Sequence, residues 1–200
     1  MGYNSPRRQE AAAITRQAIL DAACQLFISR GYAATTVGDI AQAARVAPGT
    51  VYTSVGGKPK VLEAIAQQGA DDPHLGELID AISRTKDPHE AIRRAAAGTR
   101  YSAETNADIF EIILLNAPFD EVVATVNRDA EQGFRHGARK LATHLRELKA
   151  LRGTVNEAID TIAYFLGHAS WRRVITDFGW TYDKAESWLT LRLTEALLKS

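Results

Sequence analysis

The stretch that decides the fold reads Gly31-Tyr-Ala-Ala-Thr-Thr-Val-Gly-Asp-Ile-Ala41 and, six residues on, Ala47-Pro-Gly-Thr-Val-Tyr-Thr-Ser54. Gly31 follows Arg30 and is a natural helix stop, because glycine enters the left-handed region cheaply. Thr36-Val-Gly-Asp39 has the spacing of a capping box, with Asp in place of the usual Glu or Gln. It predicts a short helix through Ala44, with Ile40 and Ala41 turned inward. Pro48 fits the first turn of a further helix, where its missing N–H costs nothing, and that helix runs to Ser54. Upstream, Ile14, Ala18, Ile19, Ala22, Leu26 and Phe27 recur mostly at three- and four-residue spacing, so Arg8 to Arg30 reads as one long helix with an apolar face. Downstream, Gly56-Gly57 breaks the pattern and Lys58 opens a fourth helix with Val61, Leu62 and Ile65 inward. Two short helices joined by a tight turn and braced by a long one make a helix-turn-helix head. In such a head the second short helix can enter the DNA major groove while the first crosses the backbone.

The second short helix carries suitable chemistry. Val51 is its apolar anchor, and Pro48, Gly49, Thr50, Tyr52 and Thr53 can project outward. Gly49 lets backbone approach DNA closely. Thr50 and Thr53 can hydrogen-bond phosphate or base edges, and a threonine methyl can touch a thymine methyl. Tyr52 offers a phenol to a phosphate. Lys58 and Thr36 each stand at a helix N-terminus, where backbone N–H groups and the helix dipole favour an anion. The charge pattern agrees. Residues 1–60 hold seven basic groups and three acids, a balance of +4, and since the whole chain sums to zero the remaining 140 residues carry −4. A basic head on an acidic body suits phosphate binding by the head, although chance clustering on a solvated surface gives the same count. Arg7, Arg8 and Arg16 read either as a solvated arm or as one that follows the phosphate backbone or minor groove.

Taken together, Ile19-Leu-Asp-Ala-Ala-Cys-Gln-Leu-Phe27, the Gly31–Ala41 stretch and Gly49-Thr-Val-Tyr52 followed by Lys58 resemble the DNA-binding head of the tetracycline-repressor-like (TetR) family of bacterial transcriptional regulators. The likeness covers Arg16 to Leu62. The tail, with Phe178-Gly-Trp180, Trp188-Leu and a final helix, resembles the end of many of that family's ligand-binding domains. Three positions depart from the family pattern. Arg45 stands where the turn usually has glycine, Pro48 replaces a common polar or basic residue, and Val55 replaces a common aromatic. The resemblance implies a dimer on a near-palindromic double-stranded operator, released when a small-molecule effector enters the helical body and changes the spacing of the two heads. It assigns Thr36, Arg45, Pro48, Gly49, Thr50, Tyr52, Thr53 and Lys58 to DNA.

The rest of the chain reads as helical, so the fold class expected is all-α. A three-helix head over residues 1–65 would join a larger ligand-binding and dimerisation body over 66–200. Pro73 and Gly76 interrupt the pattern. Asp87-Pro88-His89-Glu90 is a strong start signal, and helices are expected over 88–101, 105–116, 119–148, 155–177 and 182–198. Thr154-Val-Asn-Glu157 is a second capping box. Candidate lining residues for an effector pocket are Tyr101, Phe110, Phe134, His144, Tyr164, His168 and Trp171, although aromatics and lone histidines on helices are more often core than ligand contacts. By resemblance the last two helices form the dimer surface through Ile159, Ile162, Leu166, Trp188, Leu189, Leu193 and Leu197. As apolar stripes they could build an intermolecular four-helix bundle or lie in the chain's own core.

Several function classes find no support in the sequence. Cys24 is the single cysteine, so neither an intramolecular disulfide nor a cysteine-based zinc site is possible. No His spacing suggests a metal, and no cofactor is expected. The N-terminus lacks the apolar region of a signal peptide, and no apolar run reaches the roughly 18 residues of a membrane helix. A cytoplasmic location is therefore expected. Gly-Gly-Lys58 lacks the earlier glycine of a phosphate loop, and no other catalytic motif is found, so an enzyme is not expected. The rival readings are a DNA-binding activator and a helical protein-interaction module without a small-molecule ligand.

Overall fold

The computed structural model describes residues 6–199. Among the described residues it is all-α, with no strand beyond an isolated bridge between Leu151 and Leu198. Packing divides the chain into two compact units. One unit joins the chain up to Gln68 with Glu111–Asn127, and the other joins Gly69–Phe110 with the chain from Arg128 onward.

The first unit opens with α1 (Pro6–Arg30), followed by α2 (Val37–Ala43), α3 (Pro48–Ser54) and most of α4 (Lys58–Ala70). The helices form where local signals place them. The Thr36 side chain accepts from the Asp39 N–H while the Asp39 carboxylate accepts from the Thr36 N–H, which is the reciprocal capping box. Pro48 is the first residue of α3. Val51, Ile40, Ala41, Ile19, Phe27, Val61 and Leu62 are buried. Ile14 departs from the inward face expected for it and is 67% exposed. It lies more than a turn before Ile19, where α1 begins to bury side chains. The same unit takes in the end of α7 (Ala107–Asn116) and the start of α8 (Glu121–Glu147), with Ile113 and Val123 buried.

The second unit holds α5 (Pro73–Arg84), α6 (Pro88–Thr105), the rest of α7 and α8, α9 (Val155–Leu166), α10 (His168–Arg172) and α11 (Tyr182–Leu197). Its core is built from Ile92, Ala96, Leu141, Leu145, Ile159, Ile162, Leu166, Trp171, Leu189 and Leu193. Two expectations are corrected. Pro73 does not interrupt the chain but opens α5, because Asp72 caps it by accepting from the His74 N–H at 2.9 Å. The single helix expected over 155–177 is three pieces. It breaks at Gly167 (φ −66, ψ 155) between α9 and α10, and residues 173–177 form a π-helical turn. A Cβ at position 167 would lie 2.5 Å from the Ala163 carbonyl oxygen, so glycine permits the break.

Candidate nucleic-acid interface and effector site

The α2–α3 turn is held by Arg45 in the left-handed region at φ 56. Its N–H donates to the Gln42 carbonyl at 3.2 Å and the Val46 N–H donates to the Ala41 carbonyl at 2.9 Å. Those two bonds are a Schellman closure of α2. A residue with a Cβ thus takes up the turn geometry that glycine usually supplies. The turn presents α3 with Val51 buried and Pro48, Gly49, Tyr52 and Thr53 exposed, while Thr50 is half-buried. Tyr52 is 58% exposed, so its phenol stands out from the surface. The space where a Gly49 side chain would begin is open, which leaves the α3 backbone approachable there. The Thr53 hydroxyl donates back to the Gly49 and Thr50 carbonyls, leaving its lone pairs for an incoming donor.

Thr36 and Lys58 act inside the head. Thr36 donates its N–H and its hydroxyl to Asp39, at 2.8 and 2.6 Å. Those bonds, the hydroxyl bond first, hold the Asp39 carboxyl below its usual range and keep a negative charge at the start of α2. The Lys58 ammonium donates to the Tyr32 carbonyl at 2.9 Å and lies 4.3 Å from the centre of the Tyr32 ring. Burial lowers the Lys58 pKa, against the opposing pull of Asp120. Burial, with Asp120 adding to it, pushes the Tyr32 phenol up to about 12, and its hydroxyl has no partner among the described residues. One brace has no sequence signal. Arg16 donates to the Ser54 carbonyl at the end of α3, at 2.9 Å, a tie between elements 38 residues apart that no local spacing announces. Buried Thr35 donates to the Gly31 carbonyl four residues earlier, within the loop between α1 and α2. Arg7 and Arg8 are exposed on the first turns of α1.

Of the seven residues expected around an effector, the structure brings three together. The His168 ring stacks on Phe110 with centroids 3.4 Å apart and 21° between planes, and Phe134 approaches edge-on at 6.0 Å. Its Nδ1 is buried with no partner among the described residues. Burial pushes the imidazole down to about 4, so it is neutral at ordinary pH. It can offer one hydrogen bond in apolar surroundings. The other four are employed elsewhere. Tyr101 donates to Asp72 at 2.7 Å, the His144 Nε2 is 2.9 Å from the Thr85 carbonyl, and Trp171 is buried with its indole N–H on the Thr99 hydroxyl at 3.1 Å. Tyr164 points the other way and is 75% exposed.

The stripes expected at a dimer surface are corrected. Ile159, Ile162, Leu166, Leu189, Leu193 and Leu197 are no more than 2% exposed and belong to the core of their own chain. Trp188 alone reaches the surface, at 41%. The faces of α9 and α11 left outside carry Tyr164, Trp188 and Leu191. Among the described residues no cluster of three or more His, Cys, Asp or Glu could hold a metal, and no helix is long and apolar enough to cross a membrane.

Comparison with known proteins follows the same division. Residues 19–65 match the family model of bacterial regulatory proteins, tetR family. An HTH-type transcriptional repressor of Mycobacterium tuberculosis is 36% identical over 88 residues, which is 44% of this chain and 42% of that protein. An uncharacterized HTH-type transcriptional regulator of Bacillus subtilis is 41% identical over 54 residues, 27% of this chain and 29% of that protein. The chain thus spans less than half the length of the curated relatives it matches. Among solved structures, the SmeT–triclosan complex is similar at a TM-score of 0.75 and 18% identity, covering 93% of this chain and 92% of that one. A transcriptional regulator from Saccharomonospora viridis in complex with choline is similar at a TM-score of 0.72 and 13% identity, covering 92% and 98%. At those identities the likeness is one of fold.

Proposed function

We propose, on the premise that this chain belongs by its head to the tetR family of bacterial regulatory proteins, that it is a sequence-specific transcriptional regulator that represses from a near-palindromic operator as a homodimer. Residues 1–65 bind DNA, and residues 66–200 carry effector binding and dimerisation. The observation that carries the reading is α3, a short helix anchored by buried Val51 that offers Pro48, Gly49, Tyr52 and Thr53 to solvent after a tight turn. That is the form of a recognition helix, with α2 crossing the backbone. Arg45, exposed at the turn, adds a positive charge beside it. With Thr36 and Lys58 occupied in bracing, their contribution to DNA is to hold the head's shape and to offer backbone N–H groups near phosphates.

The effector reading rests on His168. A neutral imidazole between Phe110 and Phe134, with a buried unpaired nitrogen, suits an uncharged and partly apolar molecule that completes one hydrogen bond. The similar folds solved with triclosan and with choline support small-molecule binding in such a body. Binding that favours a different spacing of the heads lowers DNA affinity by linkage, and the coupling is reciprocal. The protein acts in the cytoplasm.

Selection from randomised double-stranded DNA tests the reading. A palindrome with half-sites roughly 34–36 Å apart, about one turn, is the expected product. Tyr52→Ala should weaken binding to that site and to altered sites alike. Enrichment of no sequence, with only weak salt-sensitive binding, would overturn it.

A further inference from the structure

Helix α5 has an apolar face that its own unit covers only in part. Leu75, Leu78, Ile79 and Ile82 follow at spacings of three, one and three, which gathers them within an arc of about 100°. All four are half-buried, while His74, Glu77 and Asp80 on the other side are exposed. No side chain of α5 is fully buried. Each other helix of the same unit buries at least one, from Ile92 on α6 and Ile109 on α7 to Trp171 on α10 and Leu193 on α11. A helix whose apolar face is half covered opens at lower cost than the core around it.

Polar ties from neighbouring helices hold α5 in place. At its N-terminal end the Tyr101 hydroxyl, on α6, donates to the capping Asp72 carboxylate at 2.7 Å, and the His74 ring meets the Tyr101 ring edge-on at 4.7 Å. At its C-terminal end Arg94, also on α6, donates to the Ala81 carbonyl at 2.9 Å, and the His144 Nε2 on α8 is 2.9 Å from the Thr85 carbonyl. Between these ends α5 runs close to α6, where a Cβ at Gly98 would lie 3.6 Å from the Leu78 Cβ. The next residue of α6, Thr99, accepts from the indole of Trp171, three residues after His168 on α10. Helix α6 thus carries both α5 and the helix of the effector site. The His168 Nδ1 is buried, so a molecule that reaches it needs an opening. We propose that α5 is the gate of that site: its N-terminal end swings off α6 when the Tyr101–Asp72 bond breaks, and the effector enters between the two helices. The proposal rests on the effector reading of His168 and adds the route of entry.

The test uses the full chain and the uncharged fluorophore N-phenyl-1-naphthylamine, with stopped-flow binding and hydrogen exchange read together. In the wild type, α5 amides should exchange faster than those of α6 and α9. Tyr101→Phe removes one hydrogen bond, so α5 exchange, probe entry and probe exit should each quicken by about two- to tenfold, with α6 and α9 unchanged. The dissociation constant then moves less than either rate, which a lining role for Tyr101 would not give. The 3.6 Å approach of Leu78 to position 98 suits an engineered disulfide. In a C24S chain carrying L78C and G98C, oxidation should slow probe entry at least about tenfold and reduction should restore it, at constant circular dichroism. Entry equally fast in the oxidised and reduced forms would overturn the gate while leaving the site intact, and so would α5 amides as protected as those of α6. Probe binding indifferent to His168→Phe would overturn the effector site, and the gate with it.

Discussion

Replacing Arg45 by glycine separates two things that one residue does. As the residue closing the Schellman turn of α2 it sits at φ 56, a region that costs an L-residue about 1–2 kcal/mol. Glycine escapes that strain but loses roughly 0.4–1 kcal/mol more conformational entropy on folding. The balance is a gain of about 0.5–1 kcal/mol in the head, from the difference of those two costs. Because the chain forms two units, the gain is best read where it acts. Hydrogen exchange at α2 and α3 amides that require opening of the head should slow by about two- to fivefold. Arg45→Ala is the necessary companion, since it removes the same charge and keeps the strain. Both variants should bind the selected operator more weakly, with the salt slope reduced by about one per protomer. Equal exchange rates in the glycine and alanine variants would refute the strain. Unchanged affinity and salt slope in both would remove Arg45 from the DNA surface.

Three further outcomes follow from named contacts. Lys58→Ala should destabilise the head by about 1 kcal/mol in thermal unfolding, because it frees the Tyr32 carbonyl and uncovers its ring, discounted for partial exposure. Unchanged stability would mean the brace is idle. His168 takes a proton near 6.5 when unfolded and near 4 when folded, so between those values the unfolded chain holds more protons and stability falls as the pH drops. Above pH 6.5 that contribution is complete, and by pH 4 about 3 kcal/mol of it is lost. Denaturant unfolding of His168→Phe across this window should show a flatter profile, and an identical slope would sink the assignment. Gly167→Ala should cost about 1–3 kcal/mol of stability in the same assay, because its Cβ would press on the Ala163 carbonyl oxygen 2.5 Å away. A neutral result would show that the break between α9 and α10 yields freely.

The features legible from the residues alone are those whose causes lie within a few positions of one another. The Thr36–Asp39 and Thr154–Glu157 boxes, Pro48 at the start of α3, Asp87-Pro88 at the start of α6 and Gly31 at the end of α1 are each closed by hydrogen bonds spanning four residues or fewer, so spacing alone discloses them. They were enough to reveal an all-α chain with a helix-turn-helix head and to single out the exposed positions of α3. Tertiary structure decided everything that depends on which neighbour covers a face. Lys58 looked like a free cation beside a helix N-terminus and turned out to hold a loop 26 residues earlier in the chain. The inward stripe of α9 and α11 was legible as apolar, but an apolar stripe does not name its partner, and the chain uses it for its own core. Trp188 sits next to Leu189 in sequence and on the other side of the helix in space. The Cα–Cβ directions of adjacent helical residues differ by about 100°. The packing of α11 against α6 and α9 therefore fixed which of its two faces was buried and which was left facing solvent.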